Sequence, residues 1–365
     1  LVWTALVASA LVGRAYRWLG VLLLSTATIA VALTMLMRVN GMQAAWTQPV
    51  GLPLNVAVGQ GNIRQDMKFD PTQIDHSYQV YDELLERIAH RQAHSLDRSL
   101  NSPLDLIVLP ETALPLVASQ TPEGYLEGWR QRMMTMNIPL IFGLPIDEPL
   151  PNDTTRYSNS VVQINPTDRV ETFDARYDKA HLVPFGEFIP PMFHWFMAML
   201  HMPLDSFTAG AAIQPHLVLP ATARHAQVAI RASVCYEDVF GASFAAGSGS
   251  ANVLLNLSNL AWFNDSIALN QHLNIGRMRV MELGLPMIRA TNTGISALIN
   301  AQGQVTHQTA IQAAEVLYGT IQPYRGTTPY QRWRDTPIVV LCVLLCVLPI
   351  VLPMMWSALI AKNRA

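Results

Sequence analysis

The sequence predicts an α/β domain held between membrane-spanning helices. Three observations lead there. From Leu52 onward, short apolar runs of strand length alternate with longer segments of helical period. Two long uncharged apolar stretches bracket that region. Only 14% of the 365 residues are charged, whereas a water-soluble domain carries about 25%. The net charge of -2, with no long Lys/Arg run, argues against nucleic acid as a partner.

The elements follow in order. Residues 1–12, "LVWTALVASALV", are apolar but at roughly 1.5 Å per helical residue cover about half a bilayer. They read as the tail of a further span. Residues 18–37, "WLGVLLLSTATIAVALTMLM", have the length of a transmembrane helix, with a signal peptide disfavoured by the long apolar stretch. Residues 337–361 form a second span, able to kink at Pro349 and Pro353. Arg14 and Arg17 before the first span, and Lys362 and Arg364 after the last, place both ends in the cytoplasm. Arg38, Arg325, Arg332 and Arg334 weaken that bias. In a bacterium the 50–334 domain then faces the periplasm from a multi-pass inner-membrane anchor.

Within that domain "LNVAVGQGNI" reads as a buried strand, and "DPTQIDHSYQVYDELLERIAHRQAH" as a helix with a charged outer face. "LDLIVLPETALP" is a strand stopped by Pro110, "GWRQRMMTMN" a helix and "IPLIFGLPI" a third strand. "YSNSVVQINPTDRVETFDARY" alternates as a hairpin turning at Asn165 to Asp168. "HAQVAIRASVCYED" and "ANVLLNLSNLAWF" are buried strands. "ALNQHLNIGRMRVMELG" is a helix and "LPMIRATNTGISALINAQGQV" a hairpin. Strands thus bring Glu111, Cys235 and Asn259 to their C-terminal ends, where open α/β sheets build sites.

Several signals fail. "GQG" at 59–61 lacks the third glycine of a dinucleotide loop, and no P-loop or G-x-S-x-G elbow occurs. His90 and His94 have ligand spacing but sit on a polar helix face, so no metal is expected. Three words remain: "VLPETALP" with Glu111, "RYDKAHLVPFGEFIP" with Lys179 and Glu187, and "SVCYEDVF" with Cys235. A cysteine nucleophile needs a base for its proton and a cation for thiolate and oxyanion. Glutamate, lysine and cysteine meet those needs. Cys342 and Cys346 fall in the last span, leaving Cys235 alone in the domain and without a disulfide partner.

The ordered Glu–Lys–Cys set resembles the nitrilase superfamily of carbon–nitrogen hydrolases. "VGQGNI", "PETALP", "YDKAHLVPFGEFIP", "CYED" and "NLAWFNDSIALNQHLNIGRMRVMELGLPMIRATNTGIS" narrow the resemblance to the bacterial apolipoprotein N-acyltransferase family. Leu109, Leu260 and Phe69 depart from its pattern. The resemblance implies a four-layer αββα sandwich flanked by transmembrane helices. It implies Glu111 as general base, Lys179 as oxyanion-side cation and Cys235 as nucleophile, with Glu187, Tyr236, Glu237 and Trp262 in support. It also implies a phospholipid acyl donor, a diacylglyceryl-modified lipoprotein acceptor, and no cofactor. The residues alone leave open a membrane-tethered amidase or nitrilase, a silent lipoprotein-binding fragment, and a packing role for Tyr236. The Met- and aromatic-rich stretch Pro190 to Phe207 is expected to form a membrane-dipping lid, with a core helix as the alternative.

Overall fold

Two six-stranded sheets face each other across an apolar layer. The computed structural model describes residues 46–64, 74–94, 103–151, 153–167, 173–188, 207–344 and 346–347, with 26 and 29 as isolated positions. The strands are β1 (Thr47–Pro49), β2 (Leu54–Gln60), β3 (Leu106–Val108), β4 (Leu140–Pro149), β5 (Thr155–Ile164), β6 (Ala175–Asp178) and β7 (Leu217–Leu219). They continue with β8 (Val228–Val234), β9 (Val253–Ser258), β10 (Met287–Thr291), β11 (Ala297–Ile299), β12 (Val305–Gln308), β13 (Glu315–Ile321) and β14 (Tyr324–Gly326).

The first sheet runs β13-β2-β3-β4-β5-β6 and the second β12-β11-β10-β9-β8-β7. Each has a parallel centre, β2-β3-β4 or β8-β9-β10, with antiparallel strands outside it. β1 and β14 pair separately. Between the sheets lie Val56, Val58, Val108, Ile141 and Val161 from one side, and Ile230, Val234, Leu255, Leu257 and Ile288 from the other. Their alternate neighbours face outward, where a second layer covers them. The central strands are therefore apolar on both faces and read as continuous runs.

Helix α1 (Ile74–His94) places Tyr78, Tyr81, Leu85 and Ile88 on one stripe, with Asp75 in its first turn and Arg91 and His94 in its last. With Trp129 and Met133 of α2 (Tyr125–Met136), that stripe covers the outer face of the first sheet. The second sheet is covered by α3 (Gly241–Ala246) and α4 (Ala268–Leu283), through Phe244, Leu273, Val280 and Leu283. The four layers are α, β, β and α, as the resemblance implies.

The domain is one unit, 47–331; residues 1–46 and 332–365 form another. Of the second unit, 336–344 is helical. The expected tail at 1–12 lies outside the described residues, as do almost all of the span at 18–37 and most of the span at 337–361. Among the described residues no helix is long and apolar enough to cross a membrane. The lid expected at Pro190 to Phe207 also falls outside them, apart from Phe207 itself.

Two differences from the sequence expectation matter. The strand leading to Cys235 ends at Val234, and Cys235–Val239 winds into a 3₁₀ turn. β13, unforeseen, crosses back to pair antiparallel with β2 of the first sheet.

Candidate active site

The loops at the C-terminal ends of β3, β6 and β8 converge on one polar cluster. Glu111 follows β3 by a short turn that lies against β4. An ideal Cβ on Gly143 would stand 2.6 Å from the Glu111 Cα and 2.5 Å from the Thr112 nitrogen. Only a residue without a side chain lets the Glu111 turn approach this closely. Gly143 also donates to the Pro110 carbonyl and accepts from the Ala113 amide, at 3.0 and 2.9 Å.

The Glu111 carboxylate is held at both oxygens. Oε1 accepts from Asn159 Nδ2 at 2.8 Å and from Lys179 Nζ at 3.5 Å. Oε2 accepts from the Asn259 amide at 2.7 Å. Lys179 follows β6, and its own amide donates to the Asn159 carbonyl at 2.8 Å. Its side chain is only 1% exposed, and Nζ reaches Glu187 Oε1 at 2.8 Å. Glu187 is fixed in turn, because Oε2 accepts from the Val183 amide and Oε1 from Asn159 Nδ2, both at 2.8 Å. Burial works against the Lys179 ammonium, yet Glu111, Cys235 and Glu187 together raise its pKa above the ordinary lysine value. It remains a cation.

Cys235 opens the 3₁₀ turn with φ +50, in the left-handed region that a side chain adopts only when its surroundings hold it there. Burial pushes its thiol up to about 12, with Glu111, Asp238 and Glu187 acting in the same direction and Lys179 against them. At rest it is a thiol, and a base must take its proton when the nucleophile is needed.

Glu237 ties the two halves together. Its carboxylate accepts from Tyr177 Oη at 2.9 Å and from the amides of Ala180, His181 and Val234 at 2.7, 3.1 and 2.7 Å. The loop after Lys179 and the residue before Cys235 thus share one buried carboxylate. Tyr236 packs edge-on against Phe240, with centroids 5.0 Å apart. Trp262 stands 71% exposed on the turn after Asn259. The structure brings Glu111, Lys179, Cys235, Glu187 and Glu237 together, leaves Tyr236 half-buried beside Cys235 in the same turn, and exposes Trp262.

Asn159 was missed in the sequence, although its amide bridges the two site carboxylates. Its signal was weak: a polar side chain in the alternating stretch "YSNSVV", which turns out buried. Gly143 had a better signal, a glycine inside an otherwise apolar strand.

The family model for carbon–nitrogen hydrolase matches residues 55–330. The chain is 38% identical over 304 residues to an apolipoprotein N-acyltransferase of Ralstonia nicotianae, covering 82% of this chain and 53% of that protein. It is 38% identical over 299 residues to one of Chromobacterium violaceum, covering 81% and 52%. The chain spans about half the length of the curated relatives it matches. It also superposes on the crystal structure of the C. elegans NitFhit protein with a TM-score of 0.54 at 18% identity, covering 75% of this chain and 62% of that one. That likeness speaks for the fold. On the matched family model, the chain belongs to the carbon–nitrogen hydrolase family.

Proposed function

We propose that this chain is the catalytic part of an enzyme that moves a fatty acyl group from a phospholipid to the N-terminal amine of a diacylglyceryl-cysteine lipoprotein. The observation that carries the reading is Lys179, a buried cation held between Glu111 and Glu187 beside the Cys235 thiol. The name shared by the two bacterial relatives supports the choice of donor and acceptor.

In the first half-reaction Glu111 accepts the Sγ proton and the thiolate adds to the ester carbonyl carbon. The oxyanion that develops faces Lys179 Nζ, a donor already desolvated and needing little reorganisation. Collapse breaks the ester C–O bond. The leaving alkoxide takes the proton from Glu111 and departs as a lysophospholipid, with the acyl group left as a thioester on Cys235. In the second half the lipoprotein amine attacks that carbonyl, Glu111 accepts the amine proton, and the sulfur leaves and is reprotonated. An amide forms and a thiol is restored. Exclusion of water protects the thioester. The chemistry asks for no metal or organic cofactor. The work is placed at the bacterial inner membrane, with the domain on the periplasmic side.

The test is transfer itself. The full chain is incubated with phospholipid labelled in its acyl chains and a diacylglyceryl peptide bearing a free α-amine. Label should move to the peptide, and a peptide with an acetylated amine should stay unlabelled. Release of free fatty acid at the same rate with and without the peptide would identify a hydrolase instead.

A further inference from the structure

Behind the nucleophile, on the face of the second sheet covered by α4, lies a polar row that the mechanism above does not use. Ser233 of β8, Asn256 of β9 and Arg289 of β10 are register partners across three adjacent parallel strands. Neighbouring residues on that face, Leu254 and Met287, belong to an apolar layer. A fully buried arginine in such a layer is costly unless it is paired and its donors are used. Arg289 Nη1 donates to Asp238 Oδ2 at 3.3 Å and to Asn256 Oδ1 at 3.0 Å, and Nη2 donates to His272 Nδ1. His272 reaches back toward Asp238, with Nε2 3.6 Å from Oδ1. Asp238 comes from the same 3₁₀ turn as Cys235.

The chemistry of the middle residue gives the row a direction. Asn256 Nδ2 donates to the Cys235 carbonyl and to Ser233 Oγ, each at 3.1 Å, while Oδ1 also accepts from Ser258 Oγ at 2.6 Å. Ser233 Oγ gives its proton to the Leu255 carbonyl at 2.9 Å and so accepts from the amide, while the Ser258 hydroxyl can donate or accept. Arg289 cannot: a guanidinium only donates. It therefore fixes the carboxamide oxygen on its own side and turns the NH2 toward the Cys235 carbonyl. With the amide reversed, oxygen would face oxygen there.

That carbonyl belongs to a residue in the left-handed region, φ +50, a conformation its surroundings must impose. Glu237 grips the chain just before it, through the Val234 amide. Asn256 grips it just after. The geometry points to Arg289 as a positioning residue for the Cys235 nucleophile, acting through the orientation of the Asn256 amide, with Asp238 and His272 holding its guanidinium in place. Its charge is also felt at the thiol, as are those of Glu111, Lys179, Glu187 and Asp238.

This inference rests on Cys235 as the nucleophile, and its test needs no lipid. In the full chain carrying Cys342→Ala and Cys346→Ala, alkylation of Cys235 by iodoacetamide is followed by intact mass across a range of pH. Asn256→Ala should slow alkylation by about one to two powers of ten through misplacement of the sulfur, with circular dichroism unchanged. Arg289→Met should slow it and also move the pH profile upward, and Arg289→Lys should restore the profile. The double variant should be no slower than Arg289→Met alone, because the two residues act as a unit. A folded Asn256→Ala that reacts as the parent does, or losses that multiply in the double variant, would overturn the inference. If Arg289→Met does not fold, Asn256→Ala decides alone. Parent protein that alkylates at Cys235 yet never transfers an acyl group would refute the proposed function and leave the positioning role standing.

Discussion

Lys179 Nζ lies 2.8 Å from Glu187 Oε1 and 3.5 Å from Glu111 Oε1. The lysine's nearer counter-charge is thus Glu187, while Glu111 acts on it more strongly through its charge. This arrangement separates two readouts. Both carboxylates push the Cys235 thiol up, whereas Lys179 pulls it down. Glu111→Gln should therefore move the alkylation profile to lower pH. It should also cut acyl-adduct formation by about two to four powers of ten, since the base is gone. Lys179→Met should move the profile to higher pH. Parallel changes in alkylation and adduct formation for Glu111→Gln would remove its role as base.

Glu237 makes a structural prediction. Its carboxylate serves Tyr177 Oη and three backbone amides, and a glutamine there would turn an NH2 toward some of those donors. Each buried donor left bare costs about 1–3 kcal/mol. Glu237→Gln should lower the melting temperature and abolish transfer, while Tyr177→Phe, which removes one donor, should cost about 1 kcal/mol. A Glu237→Gln protein with the parent's melting temperature would contradict the clamp.

Gly143→Ala should displace the Glu111 turn. The added Cβ would meet backbone atoms at 2.5 to 2.8 Å, and backbone cannot step aside as a side-chain tip can. Transfer should fall at least as far as in Glu111→Gln, while Cys235 stays open to alkylation. Parent-level transfer in a folded Gly143→Ala would show that the turn tolerates the shift.

Acid stability tests the cluster behind Cys235. Burial, helped by Arg289 and Lys179, holds His272 down to about 2 from its ordinary 6.5. Between those values the unfolded chain binds a proton that the folded one does not, so this group's contribution to stability is lost as pH falls below 6.5. Asp238 has the opposite sign. Burial pushes it up to about 7 from 3.8, against the pull of Arg289 and Arg279, so its contribution is lost as pH rises from 3.8 toward 7. The two oppose each other between 3.8 and 6.5. His272→Gln should leave the Asp238 slope alone, and urea unfolding of that variant should show stability rising toward acid relative to the parent. An identical pH dependence in parent and variant would mean that His272 titrates normally.

What the sequence revealed depended on how each element is buried. β2, β8, β9 and β10 are covered on both faces and read directly as apolar runs. β7 and β14 are only three residues long, and β13 is half-buried along most of its length, so none gave a clear period. Glu111 and Cys235 were legible because each follows an apolar run, Lys179 because it closes the second strand of an alternating hairpin, and each meets one need of thiol chemistry. Asn159 and the pairing of Asn256 with Arg289 were not. Their roles come from strand register between segments far apart in the chain, which no local pattern records.

The central claim is that Cys235 carries the acyl group. Intact-mass spectrometry of the full chain, mixed with phospholipid vesicles in the absence of lipoprotein, tests it most directly. One acyl chain should add to the protein, map to the peptide containing Cys235, and vanish when a diacylglyceryl peptide with a free amine is supplied. Cys235→Ala should show no adduct, and Cys342→Ala and Cys346→Ala should show it undiminished. Acyl transfer by a folded Cys235→Ala protein, or an adduct that maps elsewhere, would contradict the account.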